Sequence, residues 1–367
     1  MPDSRIIPIV MPKWGLSMKE GKLTGWLVED GREINVGDAI LEVETDKIAG
    51  SVEATDAGVL RRRIGTPDTV YPVKALIGVI ADRSVPDAEI DAYVASYVTP
   101  VSAGEEEGEA PAYEFIELAA GRIRYARRGQ GPEPVVLIHG FGGDLDNWLF
   151  NIDGLGDNVT VHALDLPGHG QSVKTVAEPT VAGLAGTVLA FMDALAISGA
   201  HLVGHSLGGA IAMQIAGTTP SRVRSLSLIA PAGLGPEINM DYIRGFISAT
   251  SRKELKPVLE KLFADPAQVS RQMVDDMLKY KRLDGVDAAL RALAEGVFGG
   301  GRQQAILSPG DARTLVIWGS ADAVLPAGHA ANAGGARVEL IEGAGHMAQM
   351  EQASRVNGLI RANIAAG

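Results

Sequence analysis

The chain has 367 residues, which at roughly 150 residues per domain predicts two or three folded units. Hydrophobic residues make up 46% and charged residues 21%, a balance that excludes a disordered, collagen-like or coiled-coil chain. The 33 basic and 45 acidic residues leave a net charge of -12, which disfavours phosphate backbones and anionic lipid, so neither nucleic acid nor a membrane surface is expected as a partner. There is no cysteine, and with it go disulfides, thiolate metal sites and a Cys nucleophile. The start lacks the basic flank, apolar run and cleavage site of a signal peptide, and no segment has the roughly 20 apolar residues of a membrane span, so a cytoplasmic protein is expected.

Residues 1–80 read as a small all-β unit. Short apolar segments with partial alternation, separated by glycine or charged turns, suit strands better than helices. The similar strands headed by Gly25 and Gly58 indicate two sheets folded over each other. Between the strands Ala39–Val43 and Ile48–Val52, Asp46 and Lys47 occupy a tight turn, which holds the Lys47 amine away from the core and within reach of another enzyme. Taken alone, such a lysine is an ordinary surface charge. Met11, Trp14 and Met18 read as packing residues.

Residues 81–113 change character, becoming rich in Ala, Pro, Gly and acid. They read as a linker with a short helix over 87–98, followed by an extended, self-repelling tether.

From residue 114 to the end, strands alternate with helices. Strands are expected at Val135–Ile138, Val159–Leu164, Ala200–Val203, Val223–Ile229, Arg313–Trp318 and Ala336–Ile341, with helices over Val181–Leu195 and Gly209–Ala216. This alternation predicts an α/β domain with a mainly parallel sheet, whose ligands gather at the C-terminal strand ends. Between residues 231 and 308 the strand signal fades into helical pieces, the pattern of a helical cap inserted over the site.

The sharp motif is Gly204-His205-Ser206-Leu207-Gly208, between a strand and a helix of small residues. Its glycines permit a strand-to-helix turn with Ser206 at the apex. A serine hydroxyl needs a base to become a nucleophile, and the base needs a carboxylate to orient it. His346, after the last strand, is the candidate base, and Asp322, after the preceding strand, the candidate acid. The Phe141 and Leu207 amides are the candidate oxyanion donors. His205 is adjacent to Ser206 but faces differently across the turn, His169 and Asp165 read as loop-shaping residues, and His162, His201 and His329 as packed or exposed. No spacing assembles a metal site, a dinucleotide fingerprint or a phosphate loop.

The fragments Met11-Pro12-Lys13-Trp14-Gly15-Leu16-Ser17-Met18, Val36-Gly37-Asp38 and Glu44-Thr45-Asp46-Lys47-Ile48 resemble a lipoyl domain of the 2-oxo acid dehydrogenase type. The resemblance implies a flattened β-barrel or sandwich with lipoate in amide linkage to Lys47, placed there by a lipoylation enzyme. Residues 139–143, 204–208, 318–322 and 345–346 resemble an α/β-hydrolase. Joined in one chain, the two resemble the dihydrolipoyl acetyltransferase component of acetoin-cleaving dehydrogenase systems.

That family resemblance implies transfer of acetyl from lipoyl-Lys47 to coenzyme A, with a thiamine-diphosphate-dependent acetoin-cleaving enzyme and dihydrolipoamide dehydrogenase as partners and homo-oligomeric assembly as one outcome. The H-x-x-x-D-G motif of the larger acyltransferases is not found, nor the two-helix pattern of their subunit-binding domain. Two other readings stay open: a serine esterase or thioesterase carrying a lipoyl domain, and a lipoyl carrier with a non-catalytic hydrolase-like docking domain.

Overall fold

The computed structural model describes residues 5–12, 18–45, 49–54, 56–99, 113–156 and 158–366. Trp14, Lys47 and the acidic stretch 100–112 lie outside the described residues. The chain divides into two compact units, Met1–Pro111 and Ala112–Gly367.

The first unit contains β1 (Ile6–Val10), β2 (Glu20–Trp26), β3 (Glu33–Ile34), β4 (Ala39–Glu44), β5 (Ala49–Glu53), β6 (Gly58–Arg63), β7 (Thr69–Pro72) and β8 (Leu76–Ala81). They form two four-stranded sheets, ordered β1-β8-β6-β3 and β5-β4-β2-β7. In β4 the polar residues Glu42 and Glu44 face out and Val43 faces in, whereas Ile40 and Leu41 are both buried. A register shift against β5 between Ala39 and Leu41 explains the doubled apolar pair, because a bulge turns one extra residue inward. Met11, Leu23, Ile34, Leu60 and Ile77 complete a core in which Met18 is also buried. Glu44 pairs with Ala49, so Lys47 falls in the chain between the paired ends of β4 and β5.

Residues 81–97, read from the sequence as part of the connection, are attached to this first unit. Helix α1 (Asp87–Ser96) buries Ile90 against Ile6, Val79, Ala81 and Val85. Arg61 pairs with Asp87 at 2.7 Å and Arg62 with Asp91 at 3.0 Å, and the Tyr97 hydroxyl donates to the Lys74 carbonyl.

The second unit is built on β9 (Glu114–Leu118), β10 (Gly121–Arg128), β11 (Glu133–Ile138), β12 (Val159–Leu164), β13 (Ala200–His205), β14 (Val223–Ile229), β15 (Thr314–Gly319) and β16 (Arg337–Ile341). Their order is β16-β15-β14-β13-β11-β12-β10-β9, parallel from β16 to β12 and antiparallel at β10 and β9. The central strands β12 and β13 are buried at every position, as expected of a parallel sheet covered by helices. Helix α2 (Val181–Ala194) packs on α3 (Leu207–Thr218), and α3 on β11, β13 and β14.

Between β14 and β15 run α4 (Met240–Ser248), α5 (Arg252–Leu259), α6 (Arg271–Lys281) and α7 (Val286–Phe298), whose apolar residues join the core of the sheet layer. After β16 come the short α8 (Ala348–Glu351) and α9 (Ala353–Ala365), which packs on β14 and β15. Strand β11 has β12 on one side and β13 on the other, so the winding direction reverses beside it, and the loops leaving β11 and β13 open a crevice at their C-terminal ends. Among the described residues, no helix is long and apolar enough to cross a membrane, and no group of three His, Asp or Glu side chains is arranged to hold a metal ion.

Candidate active site

Strand β13 ends at His205, and α3 begins at Leu207. Ser206, alone between them, has φ 52° and ψ -117°, a region that costs a non-glycine residue about 1–3 kcal/mol. The turn is this tight because its flanks come into backbone contact. A Cβ on Gly204 would lie 2.3 Å from the Gly208 carbonyl oxygen, and one on Gly208 would lie 2.0 Å from that of Ile138 at the end of β11. Both positions therefore require glycine, and the close approach sets the turn against the loop that follows β11.

That loop, Gly140–Gly143, lines one pocket together with Ser206, His205 and His346. Asp322 lies behind His346: its Oδ2 accepts from the His346 Nδ1–H at 2.8 Å, with the two side chains 0% and 2% exposed. The same oxygen accepts from Trp318 Nε1–H at 3.0 Å, while Oδ1 accepts the Val324 and Leu325 amides at 2.8 and 2.9 Å. Burial alone would push the Asp322 carboxyl up, but the His346 ring and the Leu325 and Val324 amides outweigh it and hold the acid below its ordinary value. With Nδ1 donating to Asp322, Nε2 is left as the basic nitrogen of His346.

Leu207 is the first residue of α3, so its amide has no acceptor within the helix, and it stands at the positive end of the helix dipole. Phe141 is 6% exposed and its ring meets Phe246 and Phe298 of the cap edge-on, at 5.9 and 5.8 Å between centroids.

The backbone around Phe141 is anchored by buried imidazoles. His139 Nε2 accepts the Leu166 amide at 3.0 Å and its Nδ1–H donates to the Gly140 carbonyl at 2.8 Å. His169 Nε2 accepts the Gly142 amide at 3.1 Å and its Nδ1–H donates to the Pro167 carbonyl at 3.0 Å. Only a neutral ring can accept and donate in this way. Burial accordingly lowers His139 to about 4 and His169 to about 3. Asp165 takes two bonds from Arg124, at 2.6 and 3.1 Å, and accepts the Leu145 and Gln171 amides, which fixes the segment just beyond Gly143. Asp165 and His169 thus shape the loops at the site from below.

The cap supplies the upper wall with Ile238, Tyr242, Ile243, Phe246, Met273 and Met277, among other apolar side chains. The lining contains no lysine, arginine or carboxylate, so the surroundings of Ser206 favour an uncharged acyl group and few waters.

His162, His201 and His329 are buried away from this pocket; His201 bonds to Ser225 and Glu133, and His329 to Glu237. His205 belongs to the site more closely than its place in the turn indicated, since its Nε2–H donates to the carbonyl of His346 at 3.0 Å. Adjacency to Ser206 was the only signal of this in the sequence, because the acceptor lies 141 positions away.

A family model described as alpha/beta hydrolase fold matches residues 133–353, and one described as biotin-requiring enzyme matches residues 7–69. The dihydrolipoyllysine-residue acetyltransferase component of acetoin cleaving system from Cupriavidus necator is 56% identical over 365 residues, spanning 98% of this chain and 97% of that protein. The protein of the same description from Pseudomonas putida is 49% identical, spanning 96% of this chain and 97% of its own. The 2-hydroxy-6-oxo-6-phenylhexa-2,4-dienoate hydrolase of Comamonas testosteroni is 32% identical over 66% of this chain and 91% of its own. Among solved structures, a meta-cleavage product hydrolase from Pseudomonas fluorescens superposes with a TM-score of 0.63 at 24% identity, over 69% of this chain and 97% of its own, a likeness of fold alone. Both units of the chain are covered by the two high-identity relatives, and the chain belongs to the family of dihydrolipoyllysine-residue acetyltransferase components of acetoin cleaving systems.

Proposed function

We propose that this protein carries acetyl on a lipoyl group at Lys47 and passes it to coenzyme A through an acetyl-Ser206 intermediate. The observation that carries the reading is one chain holding both parts, a Ser206–His346–Asp322 cluster and a lipoyl-type unit, matched end to end at 56% identity by a relative named for that activity. The β4–β5 pairing, with Glu44 opposite Ala49, supports Lys47 as the attachment point, because it puts position 47 within a connection of four residues between two paired strands. Lipoate on Lys47 would supply the thiol that the cysteine-free sequence lacks. A thiamine-diphosphate enzyme that cleaves acetoin would deliver the acetyl, and dihydrolipoamide dehydrogenase would reoxidise the dithiol.

In this reading Ser206 Oγ attacks the acetyl thioester carbonyl while His346 Nε2 takes the hydroxyl proton. The Phe141 and Leu207 amides meet the developing oxyanion, and Asp322 stabilises the imidazolium. The carbon–sulfur bond breaks, and His346 returns its proton to the leaving thiolate. The coenzyme A thiol then gives its proton to His346 and attacks acetyl-Ser206. The carbon–oxygen bond breaks and Ser206 recovers its proton. The apolar lining favours a thiol over water as acceptor, since it offers water few partners.

Labelled acetyl loaded on the lipoylated protein and mixed with coenzyme A tests the scheme. Serine-dependent acetyl-coenzyme A, abolished in Ser206→Ala and never loaded in Lys47→Arg, is the expected outcome. Undiminished transfer in Ser206→Ala sinks the covalent route. Serine-dependent acetate in place of acetyl-coenzyme A moves the assignment to thioester hydrolysis.

A further inference from the structure

Glu351, the last residue of α8, joins two segments far apart in the chain. Its Oε1 accepts the Ala264 amide at 2.7 Å and its Oε2 the Gly345 amide at 2.6 Å. Ala264 lies in the cap, just beyond α5 and a short helical turn at Glu260–Leu262, whereas Gly345 immediately precedes His346. On the other side of His346, the Met347 amide donates to the Leu262 carbonyl at 3.1 Å. Residues 262–264 are therefore stitched to the chain both before and after the candidate base.

The packing allows little slack. A Cβ on Gly345 would lie 2.6 Å from the Ala264 nitrogen and 2.9 Å from the Leu262 oxygen, so only glycine lets the segments approach. Leu262 and Phe263 also line the pocket over Ser206, and Glu351 does not. The stitched segment thus has one face toward the acyl group and its backbone on the His346 loop. Burial pushes the Glu351 carboxyl above its ordinary value, against the two amides that favour its ionised form. A carboxylate suits this place because it presents two acceptors and no donor, and charge-assisted bonds of this kind are about twice as strong as neutral ones.

We propose that Glu351 is a positioning residue that couples seating of the cap segment 262–264 to the placement of His346, so that proton transfer at Ser206 is fully assembled only when that segment is docked. The inference rests on reading His346 as the base for Ser206. Glu351→Gln keeps the shape but turns an NH2 toward one of the two donors, and so breaks one stitch. Ala264→Pro breaks the same stitch from the cap side, replacing the N–H with a ring carbon that crowds Glu351 Oε1, and Phe263, at φ -116° and ψ 146°, already has the extended backbone that precedes proline.

The test uses the full-length lipoylated protein and two readouts: the rate at which a fluorophosphonate probe labels Ser206, and amide hydrogen exchange over 258–266 and 343–347. Val356→Ala, in the core of α9, serves as a control for lost stability alone. Glu351→Gln and Ala264→Pro are each expected to slow labelling about 10- to 100-fold, the usual consequence of a misplaced catalytic group, and to lower kcat with little change in KM. Exchange should quicken in both segments together, while Val356→Ala labels at the wild-type rate.

Wild-type labelling in both variants, faster exchange in one segment only, or equal slowing in Val356→Ala overturns the coupling. Equal labelling of Ser206→Ala and wild type instead overturns the reading of Ser206, and the exchange result then decides the coupling by itself.

Discussion

The carbonyl of His346 accepts a hydrogen bond from His205 Nε2 at 3.0 Å, and the two imidazole rings lie 4.7 Å apart between centroids. Burial, with His346 beside it, pushes His205 well below its ordinary value, so the ring is neutral and its Nε2–H is committed to the backbone of the candidate base. Removing one such bond costs about 0.5–1.5 kcal/mol. His205→Ala is therefore expected to lower kcat by about 3- to 10-fold with KM nearly unchanged, as measured by acetyl transfer at saturating donor.

Asp322→Asn keeps an acceptor for the Val324 and Leu325 amides but can present an NH2 to His346 Nδ1, favouring the wrong tautomer. Activity should fall on the order of 10³- to 10⁴-fold while the melting temperature changes little. Parallel kinetics and calorimetry check both halves of the statement.

Asp165→Asn should be primarily a stability variant. Arg124 is 3% exposed and Asp165 0%, and removing the Asp165 charge leaves the buried guanidinium only the more distant carboxylates of Asp144 and Asp146, at 3.8 and 4.0 Å, at a cost of about 3–5 kcal/mol. A drop of that order in denaturant unfolding of the second unit is expected. Slower Ser206 labelling should accompany it, because Asp165 also holds the Leu145 amide just beyond the Phe141 loop.

All seven histidines lie in the second unit, which sets its acid sensitivity. His139 and His162 stand at about 4 and His169 at about 3, each lowered chiefly by burial. Unfolded, they titrate near 6.5, so below that pH the unfolded chain binds more protons than the folded one. Stability from these groups is full above about pH 6.5 and is lost as pH falls toward the folded values, by about 2 kcal/mol per histidine at pH 5. Calorimetry of the whole chain should show the transition of the second unit falling steeply between pH 6.5 and 5. The transition of the histidine-free first unit should fall less.

Much of this was legible from local pattern. The helix read over Val181–Leu195 forms as Val181–Ala194, and the strand read at Val159–Leu164 has those bounds, because one apolar face or one buried run declares each. The helix near residue 87 was legible too, but its attachment was not, since the contacts of Ile90 with Ile6 and Val79 join residues far apart in the chain.

By itself the sequence determined the two units and the sharp turn at Ser206, and it singled out His346 and Asp322 as candidates, because each depends on neighbours a few residues away or on the order of elements along the chain. Only the tertiary structure decided that His205 grips the backbone of His346, that Asp165 is spent on Arg124 instead of a ring, and that Glu351 ties Ala264 of the cap to Gly345. Residue periodicity records which face of an element is buried. It carries no record of which distant backbone donor will arrive there, and a buried carboxylate or imidazole takes its role from that donor.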